Sequence, residues 1–392
     1  MVKKTILAIF LIAILVTASA YVVYSQFYNS PSSSPSNSPS TGSPSSSGDS
    51  LTSSNSPSSS DDKSSDSKVD SIVDGADLVV DMPESLKRIV VLDGNLAEML
   101  CYMGLQDSIV GRTDAQCPPQ LLNVRSIGEA AYAMSVEATL ELKPDLIIAD
   151  SLLTYDMGGS YTQLKAAGIP IYISQPPTTA QNPLQMTPEE LYNDPTGIDI
   201  VCSVMQDLAT VVGNKERVDE FVTWAQSYNK LVKDRVAALS REQQTLSFVE
   251  WYFSPYHTTL DLKLYQAGGI NIAENSSLAS LTLTPEEVVM QNPSVIIELI
   301  SSPTHDIADF IAARNDILSR PALQGVDAVK NGRVYVCDFA ALNGMRSIIG
   351  YLYYAKWVQP DLFSDIDPAA VAIQLNQKYL STSVADTYCY QP

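Results

Sequence analysis

Histidine is nearly missing from this chain: 392 residues contain two, His257 and His305, which confines imidazole-based catalysis to two positions. Cysteine is sparse and unpatterned. The five cysteines (Cys101, Cys117, Cys202, Cys337 and Cys389) form no CxxC pair and no metal-type spacing, and an odd count leaves at least one thiol free unless two chains cross-link. They read mainly as core residues, with a Cys337–Cys389 bridge left open. Basic residues are also short: 24 Lys and Arg face 44 Asp and Glu, a net charge of −20, which argues against a phosphate-neutralising patch for nucleic acid. The chain carries no GxxxxGK[ST] phosphate loop, no GxGxxG turn, no HExxH zinc helix and no GxSxG elbow. Catalytic residues, a resident cofactor and a bound structural metal are therefore not expected.

What is present falls into zones. Lys3 and Lys4 precede Ile6 to Tyr24, nineteen residues without a charge, which reads as an export signal. Ala18-Ser19-Ala20 suits cleavage, yet the run is also about long enough to stay in a membrane as an anchor. Residues 25–70 follow as a Ser/Pro-rich tether. Between Asn29 and Lys68 the one aliphatic residue is Leu51, too little to bury a core. About forty flexible residues have an end-to-end distance on the order of 35 Å, enough to hold a domain clear of a membrane.

Asn214 to Leu239 organises the rest. Val218, Phe221, Val222, Ala225, Tyr228, Val232, Val236 and Leu239 recur at helical spacing, Asn214 is placed to cap, and no Pro or Gly intervenes. The reading is one long helix, residues 214–240, joining an N-terminal α/β lobe (71–213) to a C-terminal one (241–392). A crossover helix inside one large sheet is the other reading of its length. In the first lobe the strands Arg88–Leu92, Ser108–Gly111, Leu146–Ala149 and Ile169–Ser174 alternate with helices. The second lobe repeats the scheme with Leu246–Glu250, Val295–Ile300 and Arg333–Cys337. No two-residue hairpin turn follows these strands, which predicts parallel sheets. Leu142-Lys143-Pro144-Asp145 and Gln291-Asn292-Pro293-Ser294, each before an apolar strand, echo one another across the halves.

In open α/β sheets ligands sit beyond the carboxyl ends of the strands, so the loops starting at Asp93, Arg112, Asp150, Gln175, Trp251, Ser301 and Asp338 hold the candidate site. The loop from Trp251 to His257 is rich in aromatics, and Trp251, Tyr252, Tyr256 and His257 are candidate ligand contacts. Tyr132 is placed to face them, and Arg346 to pair with an anionic group. Glu137 and Glu286 each stand in the first turn of a corresponding helix, one per lobe, where the helix dipole favours a carboxylate. The same positions suit plain N-terminal charge preference.

Four stretches together resemble the cobalamin and ferric-siderophore class of solute-binding proteins of ABC importers. They are RIVVLDGNLAEMLCYMGLQDSIVGRTD, SIGEAAYAMSVEATLELKPDLIIAD, YQAGGINIAEN with LTPEEVVMQNPSVII, and RPALQGVDAVKNGRVYVCD. The resemblance implies two Rossmann-like lobes joined by one long backbone helix, a ligand cleft between them and little hinge closure. It implies docking of one glutamate per lobe, matching Glu137 and Glu286, on an ABC permease with its ATPase. The cargo would be an iron(III) chelate or a corrinoid, carried by a monomer on the outer face of the cytoplasmic membrane, or secreted if the signal is cleaved. The tryptophan that some cobalamin binders carry in the SIGEAAYAM region is absent, with Tyr132 the nearest aromatic, which tilts the expectation towards a ferric complex. Two readings from other classes stand beside it: a metal-dependent enzyme or chelatase using His257 and His305, and a surface sensor or adhesion module without transport.

Overall fold

A computed structural model describes residues 71–83, 86–174, 197–251, 254–259, 262–276, 280–302, 305–381 and 387–392. The expected export signal and tether, and Tyr252 of the aromatic loop, lie outside the described residues.

The chain enters through an antiparallel pair, β1 (Ser71–Val73) and β2 (Val79–Asp81). The Asp74 side chain holds their turn by accepting from the Ala76 and Leu78 amides, both at 2.9 Å, and reaches the Ile173 amide at 3.1 Å. The first lobe is then a wholly parallel sheet of β3 (Ile89–Val91), β4 (Ile109–Arg112), β5 (Arg125–Ser126), β6 (Leu146–Ala149) and β7 (Ile171–Ile173), in the order β5-β4-β3-β6-β7. β3 and β6 are apolar and buried at every position, as central strands covered on both faces must be.

The second lobe comprises β8 (Thr245–Trp251), β9 (His257–Thr259), β10 (Gly269–Asn271), β11 (Ser280–Thr282), β12 (Val295–Ile300), β13 (Val334–Asp338) and β14 (Cys389–Tyr390). Its main sheet runs β10-β8-β12-β13-β14, parallel except for β14, which pairs antiparallel with β13 at the edge. β9 and β11 form a separate antiparallel ribbon. The expectation of parallel pairing thus holds for every strand it named; the antiparallel β1, β2, β9, β11 and β14 are additions to it. β1, β2, β9, β11 and β14 are two or three residues long, too short to print a hydrophobic period.

Between the lobes run two packed helices, Gly197–Val212 and Lys215–Val236. At 22 residues the second is about 33 Å long. Val218, Phe221, Ala225 and Val232 are buried as their spacing requires. Asn214 does not cap it: the residue is left-handed, with φ of 65°, and its side-chain amide donates to the Met103 carbonyl at 2.5 Å. Gly213, also at positive φ, completes the break between the two helices. One apolar cluster runs from Ile89 and Leu146 through Ile198, Met205, Phe221 and Val232 to Val249, Val295 and Leu352, so the lobes and the helices between them share a core.

Candidate functional site

The carboxyl ends of the two sheets enclose a cavity of about 450 Å³. The first lobe contributes Asp93 after β3, Gln116 beyond β4, and Asp150 with Leu152 after β6. The second contributes Lys263, Phe339 just after β13, and Leu342 to Gly344. Ile200, Val201 and Val204 of the helix Gly197–Val212 form an apolar wall. The same strand-end rule that marked the loops at Asp93, Asp150 and Asp338 therefore finds the place, with Phe339 next in chain to Asp338.

Asp93 caps the helix Gly94–Tyr102, accepting from the Leu96 amide at 2.8 Å. Burial raises its pKa, against the lowering effect of that amide. Asp150 accepts from the Leu152 amide at 3.1 Å and is pushed up to about 7, by burial first and by the neighbouring Asp93 second. Two acidic groups thus share the cavity, and the Asp93 charge makes that of Asp150 costlier. A ligand carrying positive charge relieves both effects.

The sequence-marked residues divide. Trp251 ends β8 with its ring 5.3 Å from Phe339, one ring behind the cavity wall. Tyr256 packs inside the second lobe, at a positive φ of 60°, with the Arg320 guanidinium 5.0 Å above its ring. His257 belongs to the β9–β11 ribbon, its Nδ1 3.1 Å from Thr282 Oγ1, and burial lowers its pKa. Tyr132 sits half-buried in a short turn of 3-10 helix, Ala131–Ala133. None of Tyr132, Tyr256, His257 or Arg346 is among the residues lining this cavity. Arg346 has another partner altogether: its guanidinium is bonded to both carboxylate oxygens of Glu98 and lies 5.1 Å from the Tyr388 ring. Both members of that pair are largely buried, so it joins helix Gly94–Tyr102 of one lobe to the start of helix Ser347–Val358 of the other. Nothing in the local sequence pairs residues so far apart.

Glu137 and Glu286 are exposed in the first turns of helices Val136–Glu141 and Pro285–Gln291, which precede the corresponding strands β6 and β12. Ser135 and Thr284 cap these helices, accepting from the Ala138 amide at 3.1 Å and the Glu287 amide at 3.2 Å. No group of three or more His, Cys, Asp or Glu poised for a metal ion occurs among the described residues.

With this geometry in place, comparison with known proteins is direct. Residues 89–341 match the family model described as periplasmic binding protein. The uncharacterized ABC transporter substrate-binding lipoprotein YvrC of Bacillus subtilis is 24% identical over 302 residues, covering 75% of this chain and 87% of YvrC. The molybdate-binding protein MolA of Haemophilus influenzae is 23% identical over 340 residues, covering 80% of this chain and 91% of MolA. The crystal structure of the TroA-like periplasmic binding protein FepB from Veillonella parvula superposes with a TM-score of 0.66 at 18% identity, over 82% of this chain and 99% of that one. A two-lobed α/β scaffold with a cavity between its sheet ends, matched through 253 residues to one family model, places this chain in the periplasmic binding protein family: it is the substrate-binding component of an ABC importer and not an enzyme.

Proposed function

We propose that this protein captures a compact iron(III) chelate outside the cytoplasmic membrane and hands it to its permease, docking through Glu137 and Glu286. The carrying observation is the acidic pair Asp93 and Asp150 in a cavity of about 450 Å³. That volume is at the small-ligand end of the ~300–1,000 Å³ range of ligand sites, which favours a compact complex over a corrinoid. Two carboxyl groups on one wall favour a cationic centre, while Lys263 on the other lobe's wall is suited to anionic groups of a chelator around it. Fe³⁺ is a hard cation served by oxygen donors, and a chelate that leaves it partly unshielded meets such donors here. Retained as an anchor, the first 24 residues and the Ser/Pro-rich segment behind them would keep the binding lobes near the permease; cleavage of the signal would leave the protein secreted.

Trp251, its ring tilted against Phe339 of the cavity wall, provides the test. Titration of residues 71–392 with ferric chelates, haem, cobalamin and molybdate is expected to give saturable tryptophan quenching with a ferric chelate. Saturation by cobalamin alone would move the cargo to the corrinoids, and saturation by molybdate alone would overturn the reading of the carboxyl pair.

A further inference from the structure

We propose that Cys337 and Cys389 are joined by a disulfide in the exported protein, and that this bond locks β14 over the ion pair connecting the two lobes.

The two residues face each other across β13 and β14. The Asp338 amide donates to the Tyr388 carbonyl at 2.8 Å, so Cys337 and Cys389 occupy a non-hydrogen-bonded position of the antiparallel pair. There the Cα atoms approach to about 4.5 Å and the side chains converge, within the span a disulfide bridges. Their sulfurs are 3.3 Å apart and both side chains are buried. A chain working outside the cytoplasm meets an oxidising medium, where such a pair is oxidised and kept. The other three cysteines stand elsewhere in the fold, Cys101 and Cys117 in the first lobe and Cys202 in the helix Gly197–Val212.

The position gives the bond consequence. β14 is a two-residue edge strand near the end of the chain, held by few backbone bonds. Its neighbour Tyr388 is buried, has its ring 4.7 Å from that of His305 in a tilted contact, and lies under the Arg346 guanidinium. Arg346 in turn grips Glu98 of the other lobe. Losing β14 would uncover a buried ion pair, which is stable only while its surroundings exclude water and keep its geometry.

The step needs an oxidant bearing a disulfide, a protein oxidase or an oxidised small thiol. One cysteine thiolate attacks that disulfide, releasing one thiol and forming a mixed disulfide; the second cysteine displaces the remaining sulfur as a second thiol. Two protons and two electrons leave the cysteines, and the oxidant's sulfur–sulfur bond is reduced. Burial pushes the Cys389 thiol well up, so attack belongs to folding, before β14 docks.

The full chain, exported and purified without reductant, is denatured and alkylated, and its intact mass read with and without prior reduction. Three alkyl groups before reduction and five after, with one disulfide-linked peptide pair containing Cys337 and Cys389, is the expected result; five before reduction, or a different linked pair, overturns the bond. Reductant should lower the melting temperature of the wild type by on the order of 5 °C, because the bond closes a long loop, and leave Cys337→Ala/Cys389→Ala unmoved. An unshifted wild type would overturn the locking role, and that arm stands even where the double variant folds poorly.

Discussion

Glu298, on a strand beside Glu250, ties the stability of the second lobe to pH. Glu250 and Glu298 are register partners on β8 and β12. Arg320 holds Glu250 with two bonds of 2.8 and 2.6 Å, leaving Glu298 pushed up to about 9, by burial first and by the Glu250 charge second. Its folded pKa lies above the unfolded value, so the proton it keeps is bound more tightly by the native state. The stabilisation is complete below about pH 4.5 and is lost as pH rises towards 9. Melting temperature is therefore expected to fall from pH 5 to pH 9, and Glu298→Gln, a fixed neutral isostere, to flatten that decline; an equal slope in both proteins would contradict the assignment. Asp150 titrates in the cavity itself, at about 7. A cationic ligand draws its charged form, so binding releases a proton and affinity should rise about tenfold between pH 6 and pH 8. Asp150→Asn should remove the slope, as read by calorimetric titration at several pH values. Asp93 and Asp150 stood at strand ends the topology marked, but their shared cavity depends on how two lobes meet, which no local pattern encodes.

At the scale of elements, burial decided what could be read in advance. β6 and β12 were legible to the residue because each is an apolar run, broken in β12 by Glu298 alone, between a proline turn and a polar loop. β10 was hidden by its Gly269-Ile270-Asn271 sequence, in which polar Asn271 is fully buried and its side-chain amide bonds Thr258 at 3.0 Å. The helix Lys215–Val236 showed its apolar face plainly, yet Asn229 is also buried on it, donating to Asp199 at 2.8 Å, and a polar residue at a core position breaks the expected stripe. Phe221 is the centre of that face, with the rings of Tyr102, Trp224 and Tyr379 at 6.0, 5.8 and 5.3 Å. Phe221→Ala should cost about 3–5 kcal/mol of stability in denaturant unfolding, with half-buried Val222→Ala well below it. Similar losses for the two would mean that the helix is not seated as described.

For the whole molecule, the continuous core argues for two lobes that move little against each other. The apolar cluster crosses from one sheet to the other through the paired helices, and the buried Arg346–Glu98 pair adds a directional contact at the same junction. Close-packed interiors resist continuous deformation. A rigid pair of lobes would keep Glu137 and Glu286 at a fixed separation for the permease to read. Glu137→Arg with Glu286→Arg should leave ligand affinity within about twofold, since both side chains are exposed and outside the cavity, while uptake in cells is lost. Undiminished uptake by the double variant would remove the docking role.

Leu152 stands on the cavity rim, 40% exposed, where a larger side chain fills the ligand space without disturbing the core. Calorimetric titration of the wild type, Leu152→Trp and His257→Ala with the ferric chelate that best quenches Trp251 separates the inter-lobe cavity from the aromatic loop. Affinity is expected to drop by at least about tenfold in Leu152→Trp and to stay near wild type in His257→Ala. Full affinity in Leu152→Trp with loss in His257→Ala would put the ligand on the β9–β11 side of the second lobe and contradict the account.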